Sequence, residues 1–94
     1  MAKIYHKPAT PNANPEWLLN VQLAVDGLAG VITLKGDECD FRNLKMFIDS
    51  TIKSQRSRGN ICAERVETEL RTDDGRTVIM VFCNRSLLQT YYIE

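Results

Sequence analysis

Long hydrophobic runs are the first feature that this sequence of 94 residues lacks. No apolar segment approaches the roughly 20 residues that a helix needs to cross a bilayer. Residues 1–15 also lack the hydrophobic stretch of a secretory signal. These absences predict a cytoplasmic protein without a membrane partner.

Net charge is also missing, because 12 lysines and arginines balance 12 aspartates and glutamates. The two signs are mixed along the chain, so no global field would attract a polyanion. Any affinity for nucleic acid must therefore come from a local patch, and a purely electrostatic nucleic-acid binder is disfavoured.

Residues suited to metal binding and catalysis are sparse. Cys39, Cys62 and Cys83 lie about twenty residues apart and form no CxxC pair, which is not a zinc pattern. His6, the one histidine, lies in a proline-rich segment that offers no rigid element for pairing it with a nucleophile. The sequence therefore predicts no catalytic residue, no metal site, no cofactor and no enzymatic activity.

A strong amphipathic helix signal runs from Asp37 to Ser57. Apolar residues recur there at intervals of three and four, which places them on one face. Asp37 or Asp40 is a candidate N-cap, and Gly59 is a candidate C-terminal stop. The periodic apolar residues are Phe41, Leu44, Ile48 and Ile52.

Five segments have the pattern of β-strands. Glu16–Asp26 places Trp17 and alternate apolar residues on one face, and Val31–Lys35 follows a glycine-bracketed turn as the second strand of a hairpin. Three strands are predicted after the helix: Ile61–Thr72, Thr77–Cys83 and Leu87–Ile93. The predicted fold is α+β, with a five-stranded, mainly antiparallel sheet and one helix on one face, in the order β-β-α-β-β-β.

The first 15 residues are interpreted as a flexible N-terminal arm that precedes a single α+β domain of residues 16–94. The arm contains all three prolines, Pro8, Pro11 and Pro15, which have no backbone N–H to donate to a sheet. The alternative is that Lys3–Lys7 adds as a strand to a partner or to a sister subunit.

The fourth predicted strand indicates an oligomer because it is apolar on both faces. One face carries Val78, Met80 and Phe82, and the other carries Ile79, Val81 and Cys83. A single helix covers one face, and exposing the other would forgo roughly 1.5 to 3 kcal/mol per large side chain. We therefore predict a homodimer, or a higher symmetric oligomer, packed through the open sheet face, with a curled sheet covered by the arm as the alternative. The predicted interface residues are Leu18, Ile79, Val81, Leu88 and Tyr92.

The best candidate for a small ligand is an anion at the basic end of the helix. Guanidinium groups bind phosphate through paired hydrogen bonds, and lysine adds a point charge. The alternative is ordinary solvated capping, since cations near a helix C-terminus are common. The candidate nucleotide-binding or anion-binding residues are Arg42, Lys45, Lys53, Arg56, Arg58, Asn60 and Arg85.

Two functions follow from these patterns. The first is a small non-enzymatic binding module, of inhibitor, adaptor or accessory type, that self-associates through its sheet and binds a macromolecular partner. The second is nucleotide or nucleic-acid binding through the basic end of the helix. A third is an enzyme that uses Cys62 or Cys83.

Overall fold

The computed structural model describes residues 2–10, 14–61 and 65–94. The elements in chain order are β1 (Ile4–Pro8), α1 (Glu16–Ala29), α2 (Glu38–Ser57), β2 (Val66–Asp73), β3 (Arg76–Cys83) and β4 (Ser86–Ile93). The strands form one sheet in the order β1-β4-β3-β2, and each neighbouring pair is antiparallel. Both helices contribute their buried side chains to one core on a single face of this sheet.

The prediction of five strands and one helix is wrong, although the coarser α+β class with an antiparallel sheet is confirmed. Glu16–Ala29, predicted to be a strand and the turn after it, forms the helix α1. Its buried residues follow the helical spacing, whereas Leu19 and Leu23 are 54% and 69% exposed. Apolar residues occupy so many positions in this segment that period two and period 3.6 both fit. The buried residues of α1 are Trp17, Leu18, Val21 and Val25.

Two further segments differ from the prediction. Val31–Lys35, predicted to be the second strand, is an irregular connection between the helices. Ile4–Pro8, which we assigned to the flexible arm, forms β1 and pairs with β4 of the same chain. Pro11 and Cys62 lie outside the described residues.

The central helix lies where the sequence predicts it. α2 begins after Asp37, whose carboxylate accepts a hydrogen bond from the Asp40 backbone N–H at 3.1 Å. The Asp40 carboxylate in turn accepts the backbone N–H groups of Lys35 at 2.6 Å and Gly36 at 2.7 Å. Asp37 and Asp40 therefore form the start of the helix, and their side chains satisfy backbone N–H donors that lack a partner within the helix.

Two hairpins connect the last three strands. Asp74 and Gly75 have φ angles of 52° and 73° in the β2–β3 turn, and an Asp-Gly pair is typical of such a tight hairpin. Asn84 and Arg85 have φ angles of 49° and 73° in the β3–β4 turn. A register shift at Val81 and Phe82 adds one residue to β4, so that Leu87 and Gln89 lie opposite them and Leu88 is the extra residue.

The sheet has one face that the helices cover and one that they do not. Ile79, Val81 and Tyr91 lie on the covered face and are 0% exposed. We call the opposite side the outer face, and its residues are those that alternate with the covered ones in each strand. They are Tyr5, Lys7, Glu67, Glu69, Arg71, Asp73, Arg76, Val78, Met80, Phe82, Leu87, Thr90 and Tyr92.

Replacing Ile79 with alanine is expected to lower the free energy of unfolding by about 2 to 5 kcal/mol, because it leaves a cavity between sheet and helices. Leu23→Ala is the control, since this side chain of α1 is 69% exposed and should cost less than about 0.5 kcal/mol. Urea denaturation measures both. Equal losses for the two variants would contradict the position of α1 on the sheet.

Candidate binding face

The outer face carries a row of stacked side chains across its strands. The Tyr5 and Tyr92 rings, opposite each other on β1 and β4, stack with centroids 5.5 Å apart and an interplanar angle of 18°. The Arg76 guanidinium approaches Tyr92 from the β3 side and lies 4.9 Å from the ring centroid. Tyr92 is therefore flanked by an aromatic ring on one side and by a cation on the other.

A second stack lies nearer the β2 edge. The Arg71 guanidinium lies 5.2 Å from the centroid of the Phe82 ring and also donates to the Glu69 carboxylate. Val78 lies between Arg71 and Tyr92 in the strand register and is only 3% exposed. Long arginine and tyrosine side chains therefore shield apolar groups that the helices do not reach.

Next to these stacks the outer face forms a groove with a volume of about 470 Å³. Apolar residues and Tyr92 make up its floor. Lys7 lies on the β1 side, and Asp73, Asp74 and Arg76 lie at the β2–β3 hairpin. The apolar residues in the lining are Pro8, Ala9, Val78, Met80 and Leu87. A concave apolar floor with a few charges at its rim is the usual form of a binding site.

The electrostatics of the outer face are balanced. Lys7, Arg71 and Arg76 contribute positive charge, while acidic residues on β2 oppose them. The opposing residues are Glu67, Glu69 and Asp73. The face therefore lacks the cationic excess that binding to a nucleic-acid backbone needs.

The predicted interface residues divide between the two faces of the sheet. Leu18, Ile79 and Val81 are 0% exposed inside the single chain, and Leu88 packs against the same core. Tyr92 is the one that lies on the outer face. The face predicted to need a second copy is therefore covered by α1 and α2, and the homodimer itself stays a prediction.

Several of the predicted anion-binding residues are engaged within the chain. Arg42 pairs with Glu38 at 2.8 Å, and Lys45 pairs with Asp49 at 2.9 Å. The Asn60 side-chain amide donates to the Gln55 side-chain Oε1 at 2.8 Å. The two ion pairs are the i,i+4 salt bridges of an ordinary helix surface.

Arg58 and Asn60 share a polar cavity of about 480 Å³ between the two helices. Ser50, Ser54 and Asn20 also line it, and the Asn20 amide donates to Gln55 at 3.0 Å. Lys53, Arg56 and Arg85 are exposed and do not line this cavity. Of the seven predicted residues, two thus meet in one concave site.

Arg85 occupies a position that favours glycine, because its φ of 73° crowds a side chain against the backbone. Gly75 takes the equivalent place in the other hairpin turn. Arg85→Gly is therefore expected to raise the free energy of unfolding by about 1 kcal/mol, measured by urea denaturation. A loss of stability would instead indicate that the Arg85 side chain makes a contact that stabilises the turn.

A buried polar network lies under α1 and was not predicted from the sequence. Gln89 is 3% exposed, and its amide donates to the Tyr91 hydroxyl at 2.8 Å and to Gln22 at 3.1 Å. Asn14 donates to the Gln89 carbonyl oxygen at 2.9 Å. A glutamine between apolar residues in a strand was the available signal. The network joins β4 to α1 with each polar group paired, which avoids the cost of burying it alone.

Burial in this network raises the pKa of the Tyr91 hydroxyl above its ordinary value of 10.0, and Asp26 raises it further, while the Gln89 hydrogen bond lowers it. Because the folded pKa exceeds the unfolded one, the contribution to stability is present below about pH 10 and is lost as pH rises above it.

Tyr91→Phe should therefore cost about 1 kcal/mol near neutral pH through the lost hydrogen bond. It should also flatten the fall in unfolding free energy between about pH 9.5 and about pH 11. Urea titrations of both proteins across this range measure the effect. Parallel pH profiles would contradict the burial of the hydroxyl.

Comparison of the chain with protein-family models, with curated proteins and with solved structures gave no match. Within residues 2–10, 14–61 and 65–94, no group of three or more His, Cys, Asp or Glu side chains is placed to hold a metal ion. Neither described helix has the combination of length and apolar composition needed to span a membrane.

Proposed function

We propose that this chain is a small non-enzymatic binding module that self-associates through its sheet and binds a protein partner on the outer face. The observation that carries the proposal is the groove floored by Tyr92 and Met80, with Lys7 and Arg76 among its charged rim residues. A cytoplasmic location belongs to the same proposal, since Cys39 and Cys83 are free thiols.

The composition of the outer face favours a protein as the partner. Tyrosine, phenylalanine, methionine and arginine are the residue types enriched at protein interfaces, and all four occur here beside acidic groups. Lys7 lies on one side of the groove, and Asp73 and Asp74 lie on another. This arrangement would suit a partner segment with an apolar anchor residue flanked by one acidic and one basic residue.

Nucleic acid is the less suitable occupant for a geometric reason. Bases stack on aromatic rings whose faces are open to solvent. Here Tyr5 and Arg76 flank the Tyr92 ring, and Arg71 lies over the Phe82 ring. These rings have part of their stacking surface occupied within the chain, and the charge of the face is balanced.

Nucleotide or phosphate binding at the end of α2 is the alternative function. The observation that favours it is the polar cavity of about 480 Å³ that Arg58 and Asn60 line with two serines. Against it, α2 ends here, and the carbonyl dipoles of a helix C-terminus repel an anion.

A displayed library of random peptides selected on the immobilised protein tests the proposal. We expect enriched peptides to share an apolar anchor with flanking charges. Met80→Asp should weaken their binding at least about tenfold, because it places a carboxylate in the apolar floor of the groove. Met46→Asp is the matched control, since Met46 is 69% exposed on α2, and its binding should be unchanged.

Nuclear magnetic resonance locates the bound peptide. Amide shifts at Thr90 and Tyr92 would support the proposal, and peptides that bind both variants equally would overturn it. Binding of a single-stranded oligothymidylate to the wild-type protein and to the variants is the third measurement. Binding that Met80→Asp abolishes would replace protein by nucleic acid on the same face, and binding that only Arg58→Glu abolishes would move the function to the helix end.

A further inference from the structure

The two edge strands of the sheet differ in how open they are to another strand. β1 is five residues long, and its odd-numbered residues bond β4, because Lys3 and Glu94 exchange hydrogen bonds of 2.8 and 2.9 Å. Its outward positions are therefore Ile4, His6 and Pro8. Pro8 has no N–H to offer, which protects this edge against further pairing.

β2 is eight residues long and contains no proline. The Asn84 N–H donates to the Arg65 carbonyl oxygen at 2.8 Å, so the odd-numbered residues of β2 bond β3. The even-numbered residues Val66, Thr68, Leu70 and Thr72 therefore direct their N–H and C=O groups away from the sheet. No described strand pairs with this side of β2, and Leu70 is 40% exposed on it.

We propose that the occupant of this edge is β2 of a second copy of the chain, paired antiparallel about a two-fold axis at Glu69. In this register Glu67 lies opposite Arg71 of the second copy, and Arg65 lies opposite Asp73. Symmetry doubles both pairs, so four opposite-charge contacts form along the outer face, two of them from Arg65 just before β2 begins. The like-charge contact at the axis is Glu69 with its equivalent, and each of these carboxylates is already bonded by its own Arg71.

Neighbouring registers are less favourable by the same count. A two-fold axis at Leu70 would set Glu67 opposite Asp73 and Glu69 opposite Arg71, so two repulsive contacts would cancel two attractive ones. An axis at Thr68 would set Glu67 opposite Glu69 and Arg65 opposite Arg71. Like charges directly across two strands destabilise the pair, so the pattern of β2 selects the axis at Glu69.

The helix layer is compatible with this register. Asp49 accepts a hydrogen bond from Thr68, and a cavity places Glu38 and Phe41 beside Leu70 and Thr72, so α2 runs antiparallel to β2. A strand advances about 3.3 Å per residue and a helix about 1.5 Å, so the level of Glu69 is about two residues before Asp49.

An axis at that level brings the two α2 helices together near residue 47. Lys45 of one copy would then lie at the height of Asp49 of the other. Since α2 lies over β2 and β3 and strands are about 4.8 Å apart, the helix axes would be about 10 Å apart, an ordinary packing distance. The pairing joins two four-stranded sheets into one of eight strands with a continuous outer face.

This inference rests on the self-association in the proposed function and locates it. Sedimentation velocity and isothermal dilution calorimetry measure the dissociation constant of the dimer. Glu67→Lys alone and Arg71→Glu alone each turn two attractive pairs into repulsive ones and should raise the dissociation constant about tenfold or more.

An equimolar mixture of these two variants should dimerise again. In the mixed dimer the introduced lysine of one chain faces the introduced glutamate of the other, and the unchanged Glu67 faces the unchanged Arg71. Glu69→Gln should tighten the dimer by removing the repulsion at the axis.

Leu70→Pro tests the edge independently, since it removes an outward N–H without breaking the pairing with β3. It should give a folded monomer, checked by circular dichroism. A wild-type protein that stays monomeric up to its solubility limit would overturn both this inference and the self-association. A wild-type dimer whose two charge variants fail to rescue each other, or a Leu70→Pro variant that folds and dimerises normally, would overturn the edge pairing alone.

Discussion

The sheet depends on burying one of its faces under two helices. Ile79, Val81 and Tyr91 are fully enclosed, and burial of each such side chain stabilises the fold by roughly 1.5 to 3 kcal/mol. α2 alone would cover part of this face, because it lies over β2 and β3 at one side of the sheet. α1 completes the cover through Leu18 and Val21, which are also 0% exposed. This arrangement leaves the outer face of the sheet without a helix over it.

The elements with strong local signals were predictable from sequence. Asp74-Gly75 specifies a tight hairpin turn, and Asp37 specifies a helix start, so β3, β4 and α2 lie close to their predicted bounds. α1 was not, because its apolar residues are dense enough to satisfy two periods at once. Pro15 before the segment, and its leucine, alanine and glutamine content, favour a helix, but their effect is a few tenths of a kcal/mol per residue. Burial of four α1 side chains in the core contributes more than this.

The candidate site was predictable only in part. The alternation of β3 correctly separates Val78 and Met80 from Ile79 and Val81, yet sequence does not say which set the helices take. The stack of Tyr5 on Tyr92 depends on the pairing of β1 with β4, which joins the two ends of the chain. Pairing between such distant segments has no local signal, since it is selected by the whole sheet. Gln89 likewise gains its partners only when α1 lies over β4.

The stacked arginines of the outer face explain how an apolar surface is tolerated in water. Val78 lies between Arg71 and Tyr92 in the strand register and is only 3% exposed. Long side chains of these types can cover an apolar neighbour while their polar ends stay solvated. Each guanidinium lies on a ring, so binding a partner here would cost less side-chain entropy than binding to unstacked arginines. The same contacts that keep the single chain stable therefore also present a pre-ordered surface, and the acidic residues of β2 add the polarity that limits unspecific hydrophobic association. Under the proposed function, shielding and recognition are two consequences of one arrangement of side chains.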